Sequence, residues 1–240
     1  MSEVVGSGPV LVTGATGFIG RALARRMVAA GYAVRALFRD RGKRERAGLD
    51  GVDWRAGKLE DPTALAEACE GCAGVIHLAG PSGWAGLESP EALRWIVDGT
   101  RSLLDAAMGS GVKRFVYVGS VAALGPAERG EFLTEASRNA IPPGLVYARK
   151  KRLAEHLCLD RNREGFSVLS VLPGEVYGAG DVDGVTAGGV AQLMRQRLRW
   201  VPPGGTAVVA VDDVAAGIQA AHTLGKPGNR YILGGDTLTI

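Results

Sequence analysis

The sequence predicts an α/β fold, in which helices cover both faces of a parallel sheet. Apolar runs of strand length alternate with helical patterns over nearly all of the 240 residues, and this alternation is typical of such a sheet. Glycine is abundant, with 36 residues, as expected where many tight turns join strands to helices. One glycine-rich turn lies between the first strand and the first helix, which narrows the prediction to a Rossmann-type, doubly wound parallel sheet.

The first half of the chain alternates three strands with three helices. The strand-like segments are "PVLVTG", "AVRALF" and "GVIHLAG". The helical patterns are "IGRALARRMVAAGY", which ends at Gly31, then "DPTALAEACEG" and "PEALRWIVDGTRSLLDAAMGSG". Asp61 is the predicted N-cap of the second helix and Pro62 its first residue, because these residue types are favoured at those positions.

The second half continues the alternation. "KRFVYVGS" and "FSVLSVLPG" are typical of strands, and they flank a helical pattern in "GLVYARKKRLAE". The last third adds a helix in "GGVAQLMRQRL", a strand in "AVVAVD", a helix in "DVAAGIQAAHTLG" and a strand in "RYILGG". Loops at 80–90, 125–146 and 173–185 should meet at the carboxyl edge of the sheet, where ligands bind.

Composition excludes several classes of function. The formal net charge of +3 is too small to indicate a nucleic-acid partner, and no basic run is interleaved with aromatic residues. No apolar run approaches the roughly 20 residues that a membrane span needs. The N-terminal "MSEVVGSGPV" lacks the basic flank and apolar core of a secretion signal. We therefore expect a cytoplasmic protein with no nucleic-acid or membrane partner.

The three cysteines fit a reducing compartment. Cys69 and Cys72 have the C-x-x-C spacing of a redox pair or of half a metal site. A metal site of this kind needs a second pair, and Cys158 stands alone far along the chain. We interpret the cysteines as packing residues and predict no metal site.

The turn after the first strand has the glycine spacing of a phosphate-binding loop. "VLVTGATGFIGRAL" places its glycines directly between the strand and the helix. Glycine allows a tight turn and lets backbone N–H groups approach a pyrophosphate at the helix N-terminus. We therefore expect a dinucleotide-binding domain over residues 1–172, with interleaved substrate-side loops, a helix and the last sheet elements over 173–240. The candidate cofactor residues in this turn are Gly14, Thr16, Gly17, Phe18 and Ile19.

The end of the second strand bears on the choice between NAD and NADP. An NAD site usually has an acidic residue there for the ribose hydroxyls, whereas an NADP site offers arginine to the 2′-phosphate. In "VRALFRD", Phe38 takes the expected acidic position and Arg39 follows it, with more basic residues in "GKRER". Asp40 could still serve NAD, and the basic residues could be a solvated loop. The pattern favours NADP(H) over NAD(H).

One tyrosine–lysine pair has the spacing of an acid and its electrostatic helper. Tyr147 and Lys151 are four residues apart, so on a helix they share one face about one turn apart. An ammonium close to a phenol favours the phenolate, which a proton donor working near neutral pH requires. The alternative is an amphipathic helix whose charged residues simply face water, and spacing alone does not separate the two.

With these pieces together, the sequence resembles the extended short-chain dehydrogenase/reductase family, within the NAD-dependent epimerase/dehydratase superfamily. It is most similar to the dihydroflavonol-reductase-like and 3β-hydroxysteroid-dehydrogenase-like branch. The motifs follow the family's order over essentially the whole chain. They are "TGATGFIG", "VRALFRD", "GVIHLAG", "GVKRFVYVGSVAALG", "YARKK", "VLPGEVYGAGD" and "VDDVAAGIQAAHTLGKPGNRYILGGDTLT".

The resemblance implies that Ser120, Tyr147 and Lys151 are the catalytic residues. Tyr147 would donate a proton to the substrate oxygen during ketone reduction, or accept it during alcohol oxidation. Lys151 would assist the tyrosine and hold the nicotinamide ribose, and Ser120 would hydrogen-bond the substrate oxygen. The nicotinamide would carry the hydride. Further cofactor-binding positions implied by the family are Arg39, Lys58, Leu59, Leu78, Ala79, Gly80, Pro173, Gly174 and Val176.

Three features depart from the family. Lys58 stands in "GKL" where relatives have an aspartate that contacts the adenine, and lysine cannot accept that hydrogen bond. Ile96 replaces an asparagine of the expected proton relay. The family's relatives usually continue beyond the position at which this sequence ends, Ile240. We expect a C-terminal substrate-binding part that is shortened relative to the family; the alternatives are a truncated chain and an unusually open substrate site. His77, in "GVIHLAG", is interpreted as a core histidine rather than a catalytic one.

We expect an NADP(H)-dependent oxidoreductase that interconverts a ketone and a secondary alcohol on a small, moderately apolar substrate. The loop residues that suggest such a substrate are Trp84, Leu87, Phe132, Leu133 and Val185. A nucleotide-sugar epimerase or dehydratase shares the tyrosine and lysine, and its candidate diphosphate ligands are Arg195, Arg197 and Arg199. A non-catalytic dinucleotide sensor is a third interpretation. The resemblance also implies a homodimer, formed by helices predicted at 91–108 and 147–163.

Overall fold

The computed structural model describes residues 8–80, 90–128, 130–181, 194–195 and 204–239. Its strands are β1 (Val10–Thr13), β2 (Val34–Phe38), β3 (Val52–Ala56), β4 (Gly74–His77), β5 (Arg114–Val118), β6 (Ser167–Pro173), β7 (Glu175–Tyr177), β8 (Gly205–Ala210), β9 (Arg230–Leu233) and β10 (Asp236–Thr239). Seven of them form a parallel sheet in the order β3-β2-β1-β4-β5-β6-β9. Because the order reverses between β1 and β4, the sheet is doubly wound, and the predicted fold class is confirmed.

Helices cover both faces of this sheet. They are α1 (Phe18–Ala29), α2 (Arg41–Ala47), α3 (Pro62–Cys69), α4 (Pro90–Gly109), α5 (Val146–Leu159) and α6 (Val211–Leu224), with a short 3₁₀ helix at Val121–Leu124. α1 packs against α6, while α3 and α5 pack against α4. The Asp61 carboxylate caps α3 by accepting the backbone N–H groups of Thr63 and Ala64, each at 3.1 Å, so the predicted start of this helix is confirmed.

Two apolar clusters form the core, one on each face of the sheet. Val10 and Val12 of β1 pack in the cluster that contains α1 and α6, and Leu11 packs in the one that contains α3, α4 and α5. This alternation follows from the pleat, which points successive side chains to opposite faces. Leu103 and Leu104 of α4 are fully buried, and burial of one such side chain contributes about 1.5–3 kcal/mol.

Two short elements between β2 and α3 were not predicted from the sequence. α2 occupies the basic segment for which a solvated loop was the alternative to cofactor binding, and Asp40 caps it by accepting the Lys43 N–H at 2.9 Å. The edge strand β3 follows, with Asp53 and Arg55 exposed. Both elements escaped prediction because they are short and polar, without the continuous apolar run of a buried parallel strand.

The remaining strands form a second, smaller sheet. β8 pairs antiparallel with β10 and parallel with β7, so the predicted strand "AVVAVD" belongs here and β9 extends the main sheet beside β6. Gly174 separates β6 from β7, and a Cβ at this position would lie 2.5 Å from the Ala207 carbonyl oxygen. The close approach of β8 therefore requires glycine at position 174.

The strands β7 and β10 were not predicted, because they are short and carry too few apolar residues to be recognised in the sequence.

Two predicted helices need comment. α5 ends at Leu159 instead of 163, because the Asn162 side chain accepts the Val168 N–H at 2.9 Å and the chain turns into β6. The helix predicted in "GGVAQLMRQRL" lies outside the described residues, apart from 194–195.

None of the described helices combines the length and the apolar character needed to cross a membrane. The domain boundary at 172 stays a prediction.

Candidate functional site

The glycine-rich turn after β1, residues 14–20, which we call the glycine cradle, has no room for an added side chain at Gly14 or Gly20. Gly14 has a φ of 78°, and a Cβ there would lie 2.8 Å from the Ala79 nitrogen. A Cβ at Gly20 would lie 2.1 Å from the Gly14 carbonyl oxygen, so the first turn of α1 packs directly on the loop. Gly17 is the N-cap of α1, whose first turn has no side-chain cap and no acidic residue. The first N–H groups of α1 therefore suit an anionic ligand, and the loop fits the pyrophosphate of a dinucleotide.

The other predicted residues of this loop lie around the cradle. Thr16 is a half-buried turn residue. Phe18 and Ile19 begin α1 and pack against the core cluster on that face. Their side chains hold the helix on the sheet, which leaves their backbone N–H groups as the parts suited to a ligand.

The turn after β4 is hydrogen-bonded to the end of β1. The Leu78 N–H donates to the Thr13 carbonyl oxygen at 3.1 Å, and the Ala79 N–H donates to Thr13 Oγ1 at 3.3 Å. A Cβ at Gly80 would lie 3.9 Å from Lys151 Nζ. The predicted cofactor turn is therefore beside both the glycine cradle and the helix that carries Lys151.

A buried polar chain supports this turn from beneath. Thr13 Oγ1 lies 2.7 Å from His77 Nδ1, and His77 Nε2 lies 3.0 Å from Thr100 Oγ1. Burial, and then the positive charge of Lys151, lowers the pKa of His77 to about 3, so the ring is neutral. His77 is a core histidine, as predicted. The roles of Thr13 and Thr100 were not predicted from the sequence, in which the position of Thr13 directly before Gly14 is the local signal.

Tyr147 and Lys151 lie on one face of α5, one turn apart. Lys151 is 8% exposed, and its Nζ lies 5.8 Å from the centroid of the Tyr147 ring and 5.7 Å from that of Tyr117. The lysine is therefore held between two aromatic rings at the inner side of the helix. Tyr147 is half-buried beside it. This arrangement brings the predicted acid and its helper together.

Ser120 caps the 3₁₀ helix that follows β5. Its Oγ accepts the Ala122 N–H at 3.2 Å, and this 3₁₀ helix packs against α5. The serine is half-buried and its hydroxyl proton remains free to be donated to a further acceptor. The contacts of Ser120 within the described residues are local, and no direct bond joins it to Tyr147 there.

Glu155 fixes α5 to the sheet one turn beyond Lys151. Its Oε1 accepts the Ser170 hydroxyl at 2.6 Å, and its Oε2 lies 3.3 Å from an Arg230 guanidinium nitrogen. The Glu155 side chain is 0% and the Arg230 side chain 6% exposed. The buried pair therefore ties the helix of Tyr147 to both β6 and β9, a support that the sequence analysis did not identify.

The end of β2 presents arginine, while its aspartate is engaged. Arg39 is exposed, and its Cζ lies 5.6 Å from the centroid of the Trp95 ring on α4. Asp40 accepts the Lys43 N–H that caps α2, and that hydrogen bond is the largest cause of the lowered pKa of this carboxyl group. Farther along, on α2, Arg44 lies over Phe38 with its Cζ 5.4 Å from the ring centroid.

The departures from the family pattern have structural counterparts. Lys58 is exposed, and its carbonyl oxygen accepts the Asp61 N–H at 3.1 Å. Leu59 packs against α4, where a Cβ at Gly99 would lie 2.9 Å from Leu59 Cδ1. Ile96 is 3% exposed and packs in the core, so its side chain supplies no polar group.

The substrate-side predictions are only partly within the described residues. Pro173 and Val176 are buried, and Gly174 lies between them in the half-buried link from β6 to β7. Phe132 is 75% exposed, whereas Leu133 is half-buried and Arg195 is exposed. The predicted residues that lie outside the described ranges are Trp84, Leu87, Val185, Arg197 and Arg199.

The cysteines lie in the core. Cys69, Cys72 and Cys158 are buried free thiols, and burial raises the pKa of Cys69 to about 12. The Cys72 thiol donates to the Ala68 carbonyl oxygen at 3.3 Å. In the parts of the chain that the structure describes, no group of three or more acidic, histidine or cysteine side chains could hold a metal ion.

The chain matches one protein family over most of its length. Residues 10–234 match the model of the NAD dependent epimerase/dehydratase family. A Synechocystis sp. protein assigned as a dihydroflavonol 4-reductase is 33% identical over 237 residues, which cover 95% of this chain and 68% of that protein. A Stigmatella aurantiaca protein named 4-hydroxy-2-methyl-3-oxo-4-farnesyl-3,4-dihydroquinoline-1-oxide ketoreductase is 31% identical, over 92% of this chain and 66% of its own.

A solved structure extends this likeness to the fold. The crystal structure of gox2253 superposes with a TM-score of 0.82 at 31% identity, covering 98% of this chain and 72% of that one. The chain thus spans about two thirds of the length of the two relatives named above, with 68% and 66% of each covered.

Proposed function

Because this chain belongs to the NAD dependent epimerase/dehydratase family, in the extended short-chain dehydrogenase/reductase branch, we propose that it is an NADP(H)-dependent oxidoreductase interconverting a ketone and a secondary alcohol. The observation that carries the proposal is the position of Lys151, which lies against the Tyr147 ring and beside the Gly80 turn. A proton donor and a cofactor loop are thereby brought to one edge of the sheet. The family binds a nicotinamide dinucleotide, and the glycine cradle fits one.

In this proposal the protein positions a proton and a carbonyl group. The Tyr147 hydroxyl donates its proton to the substrate oxygen during reduction and takes it back during oxidation. The Lys151 ammonium stabilises the negative charge that then remains on the phenol oxygen. The Ser120 hydroxyl, whose oxygen is engaged with its own helix, donates to the same substrate oxygen. A bound nicotinamide would supply the hydride during reduction and take it back during oxidation.

The preference for NADP(H) is supported by the end of β2. Arg39 offers five N–H donors and a full positive charge, as a 2′-phosphate requires. Asp40, the residue that could serve a ribose in an NAD site, has one oxygen committed to the cap of α2. Charge and hydrogen bonding at this position therefore favour the phosphorylated cofactor.

The substrate class is supported by relatives rather than by a described pocket. One relative is named a ketoreductase and one is assigned as a dihydroflavonol 4-reductase, and both names refer to reduction of a ketone. The exposed Phe132 lies on the loop before α5 and suits an apolar ring. We therefore propose a small, moderately apolar ketone as the substrate.

The test is a calorimetric titration of the 240-residue chain with NADPH and with NADH, followed by assays with apolar ketones. We expect tighter binding of NADPH, and Arg39→Ala should weaken NADPH about tenfold to a hundredfold while leaving NADH unchanged. Arg41→Ala removes another exposed charge nearby, one paired with Glu45, and serves as the matched control. Equal losses for both cofactors would contradict the NADP(H) assignment.

Titration with a nucleoside-diphosphate sugar, added to this experiment, separates the alternative functions. Preference for NADH together with binding of a nucleoside-diphosphate sugar would favour the epimerase or dehydratase alternative. Cofactor binding with no turnover of any ketone or alcohol would favour a dinucleotide sensor.

We also propose that the protein forms a homodimer through α4 and α5, in the cytoplasm. Leu145, at the N-cap of α5, and Val146 and Leu153 on the helix itself are exposed, and a second copy could cover these apolar side chains. The free thiols of the buried cysteines fit a reducing compartment. Light scattering should give a dimer mass for the wild type and a monomer mass for Leu153→Glu, and a monomeric wild type would contradict the dimer.

A further inference from the structure

One contact joins the two sides of the crevice at which the strand order reverses. The Arg39 Cζ, just after β2, lies 5.6 Å from the centroid of the Trp95 ring on α4, within the range of a cation–π interaction. α4 follows β4, so Arg39 and Trp95 come from opposite sides of β1. Ligands of doubly wound sheets bind in this crevice.

The surrounding residues assign this contact to the adenosine end of a dinucleotide. The glycine cradle after β1 suits the pyrophosphate, and the adenosine of such a ligand extends toward the ends of β2 and β3. Leu59, after β3, packs against α4 at Gly99, one helical turn beyond Trp95 and on the same face. Arg39, Leu59 and Trp95 therefore border the same end of the crevice.

The stacking engages the face of the Arg39 guanidinium, and its N–H donors point away from the contact with the ring. Within the described ranges, no carboxylate forms an ion pair or hydrogen bond with its guanidinium, and the nearest acidic side chain in sequence, Asp40, caps α2. An indole face restrains the guanidinium without consuming an N–H group. The planar fork is thus held in place while its five donors remain available for an anion.

We propose that Trp95 is a specificity-determining positioning residue, which holds the Arg39 guanidinium so that its N–H fork receives the 2′-phosphate of NADP(H). The inference rests on the proposed NADP(H) function and deepens it. It also gives a physical reason for tolerating Lys58 in place of an adenine-binding aspartate, because recognition of the adenosine end is transferred to the phosphate. Trp95 acts through Arg39 and contacts no reacting atom.

Two fragments of the cofactor test this without any catalysis: adenosine 2′,5′-bisphosphate and 5′-AMP, which differ by the 2′-phosphate. Calorimetry should be done on the wild type, Trp95→Leu, Trp95→Phe, Arg39→Ala and the double variant Arg39→Ala/Trp95→Leu. Leucine keeps an apolar side chain at the half-buried position but lacks a π face, whereas phenylalanine keeps the π face. Circular dichroism melts of each variant report whether the fold is retained.

We expect Trp95→Leu to bind the bisphosphate about three- to fivefold more weakly, with 5′-AMP unchanged, and Trp95→Phe to restore most of that loss. In the Arg39→Ala background, Trp95→Leu should have no further effect, because the residue acts through the arginine. Equal losses for both fragments, or an undiminished effect of Trp95→Leu without Arg39, would overturn the inference.

Failure of the proposed function gives a different result. If Arg39→Ala binds both fragments as the wild type does, the NADP(H) assignment itself is wrong, and the inference falls with it. If Arg39→Ala selectively loses the bisphosphate but Trp95→Leu does not, only the role of Trp95 is overturned.

Discussion

Thr13 Oγ1 lies 2.7 Å from His77 Nδ1, and this contact links the last residues of the neighbouring strands β1 and β4. Thr13 precedes Gly14 of the cofactor cradle, and His77 precedes the turn that begins at Leu78. The hydrogen bond therefore sets the spacing between two loops that both suit the dinucleotide. It is fully buried, where an unmade bond is costly.

The hydrogen bonds that link Thr13, His77 and Thr100 have defined donors and acceptors. The Thr100 hydroxyl donates to the Ile96 carbonyl oxygen at 2.6 Å, so toward His77 it can only accept, and the ring proton sits on Nε2. The neutral ring then leaves Nδ1 as an acceptor for the Thr13 hydroxyl. The Thr13 oxygen in turn accepts the Ala79 N–H. The side-chain polar atoms of Thr13, His77 and Thr100 therefore all have hydrogen-bond partners, and the His77 ring is held in the tautomer that is protonated at Nε2.

Replacing Thr13 with valine should loosen this junction. The valine keeps the shape but leaves His77 Nδ1 and the Ala79 N–H without partners, at a cost of about 1–3 kcal/mol in the free energy of unfolding. Urea denaturation measures the cost, and NADPH binding should weaken as the Ala79 turn loses its anchor. Thr63→Val, at an exposed position of α3, is the control. Equal stability of the two variants would show that the hydrogen bonds contribute nothing net.

The two buried histidines should make stability fall in mild acid. Burial lowers the pKa of His77 to about 3, and burial followed by the charge of Arg114 lowers that of His222 to about 4. The unfolded chain takes up these protons below about pH 6.5, whereas the folded chain does not until pH 4 or 3. Their contribution is therefore complete above about pH 6.5 and is lost as the pH falls to these values.

The variant His222→Leu removes the contribution of His222 to the pH dependence of stability. The ring nitrogens of His222 have no hydrogen-bond partner among the described residues, so its loss should cost little at pH 7. Between pH 6 and 4.5 the variant should lose about 1.4 kcal/mol less per pH unit than the wild type. Urea denaturation across this range is the measurement. Parallel curves for the two proteins would mean that His222 is protonated in the folded chain.

Removing the Tyr147 hydroxyl should abolish turnover without affecting cofactor binding. Tyr147→Phe keeps the ring beside Lys151 but has no proton to donate, so kcat should fall by about 10²- to 10⁴-fold. The dissociation constant for NADPH should be unchanged in calorimetry. Tyr32→Phe, on the far side of the molecule beside His222, is the matched control. Near-normal turnover in Tyr147→Phe would remove the tyrosine from the mechanism.

Removing one partner of the buried Glu155–Arg230 ion pair should lower the free energy of unfolding more than replacing both partners. Arg230→Met leaves the Glu155 carboxylate buried with only the Ser170 hydroxyl as a partner, and stability should fall by about 3–5 kcal/mol. Adding Glu155→Gln removes the uncompensated charge and should recover a large part of this loss. Arg161→Met breaks the more exposed pair with Asp105, at 3.0 Å, and should cost about 1 kcal/mol or less. Additive effects of the two substitutions in the buried pair would contradict this account.

Gly20→Ala should damage the cofactor cradle. The added Cβ would lie 2.1 Å from the Gly14 carbonyl oxygen, so α1 or the loop must shift, at a cost of about 1–3 kcal/mol and with loss of dinucleotide binding. Gly109→Ala, at the end of α4 where a Cβ meets nothing within 4 Å, should be neutral or slightly stabilising. Thermal melts and calorimetry with NADPH compare the two. Unimpaired binding in Gly20→Ala would show that the loop adapts.

Features that depend on neighbours along the chain could be predicted from the amino-acid sequence. The alternation of strands and helices, the Asp61 cap and the glycine spacing after β1 are local signals, and each has its counterpart in the structure. The one-turn separation of Tyr147 and Lys151 also follows from helical periodicity. α2, β3, β7 and β10 escaped because short polar elements have almost no local signal, and their neighbours in space decide whether they form.

Contacts between residues that are distant in the sequence depend on the folded arrangement of the strands and helices. Thr13, His77 and Thr100 come from two strands and a helix, and Glu155 meets Arg230 because β9 pairs with β6. Arg39 and Trp95 face one another only because α4 returns across the crevice from β4. Such contacts arise from the strand order and the packing of helices on the sheet, so no periodicity or propensity along the chain encodes them. The hydrogen bonds of His77 with Thr13 and Thr100, and the contact of Arg39 with Trp95, could therefore be identified only in the folded structure.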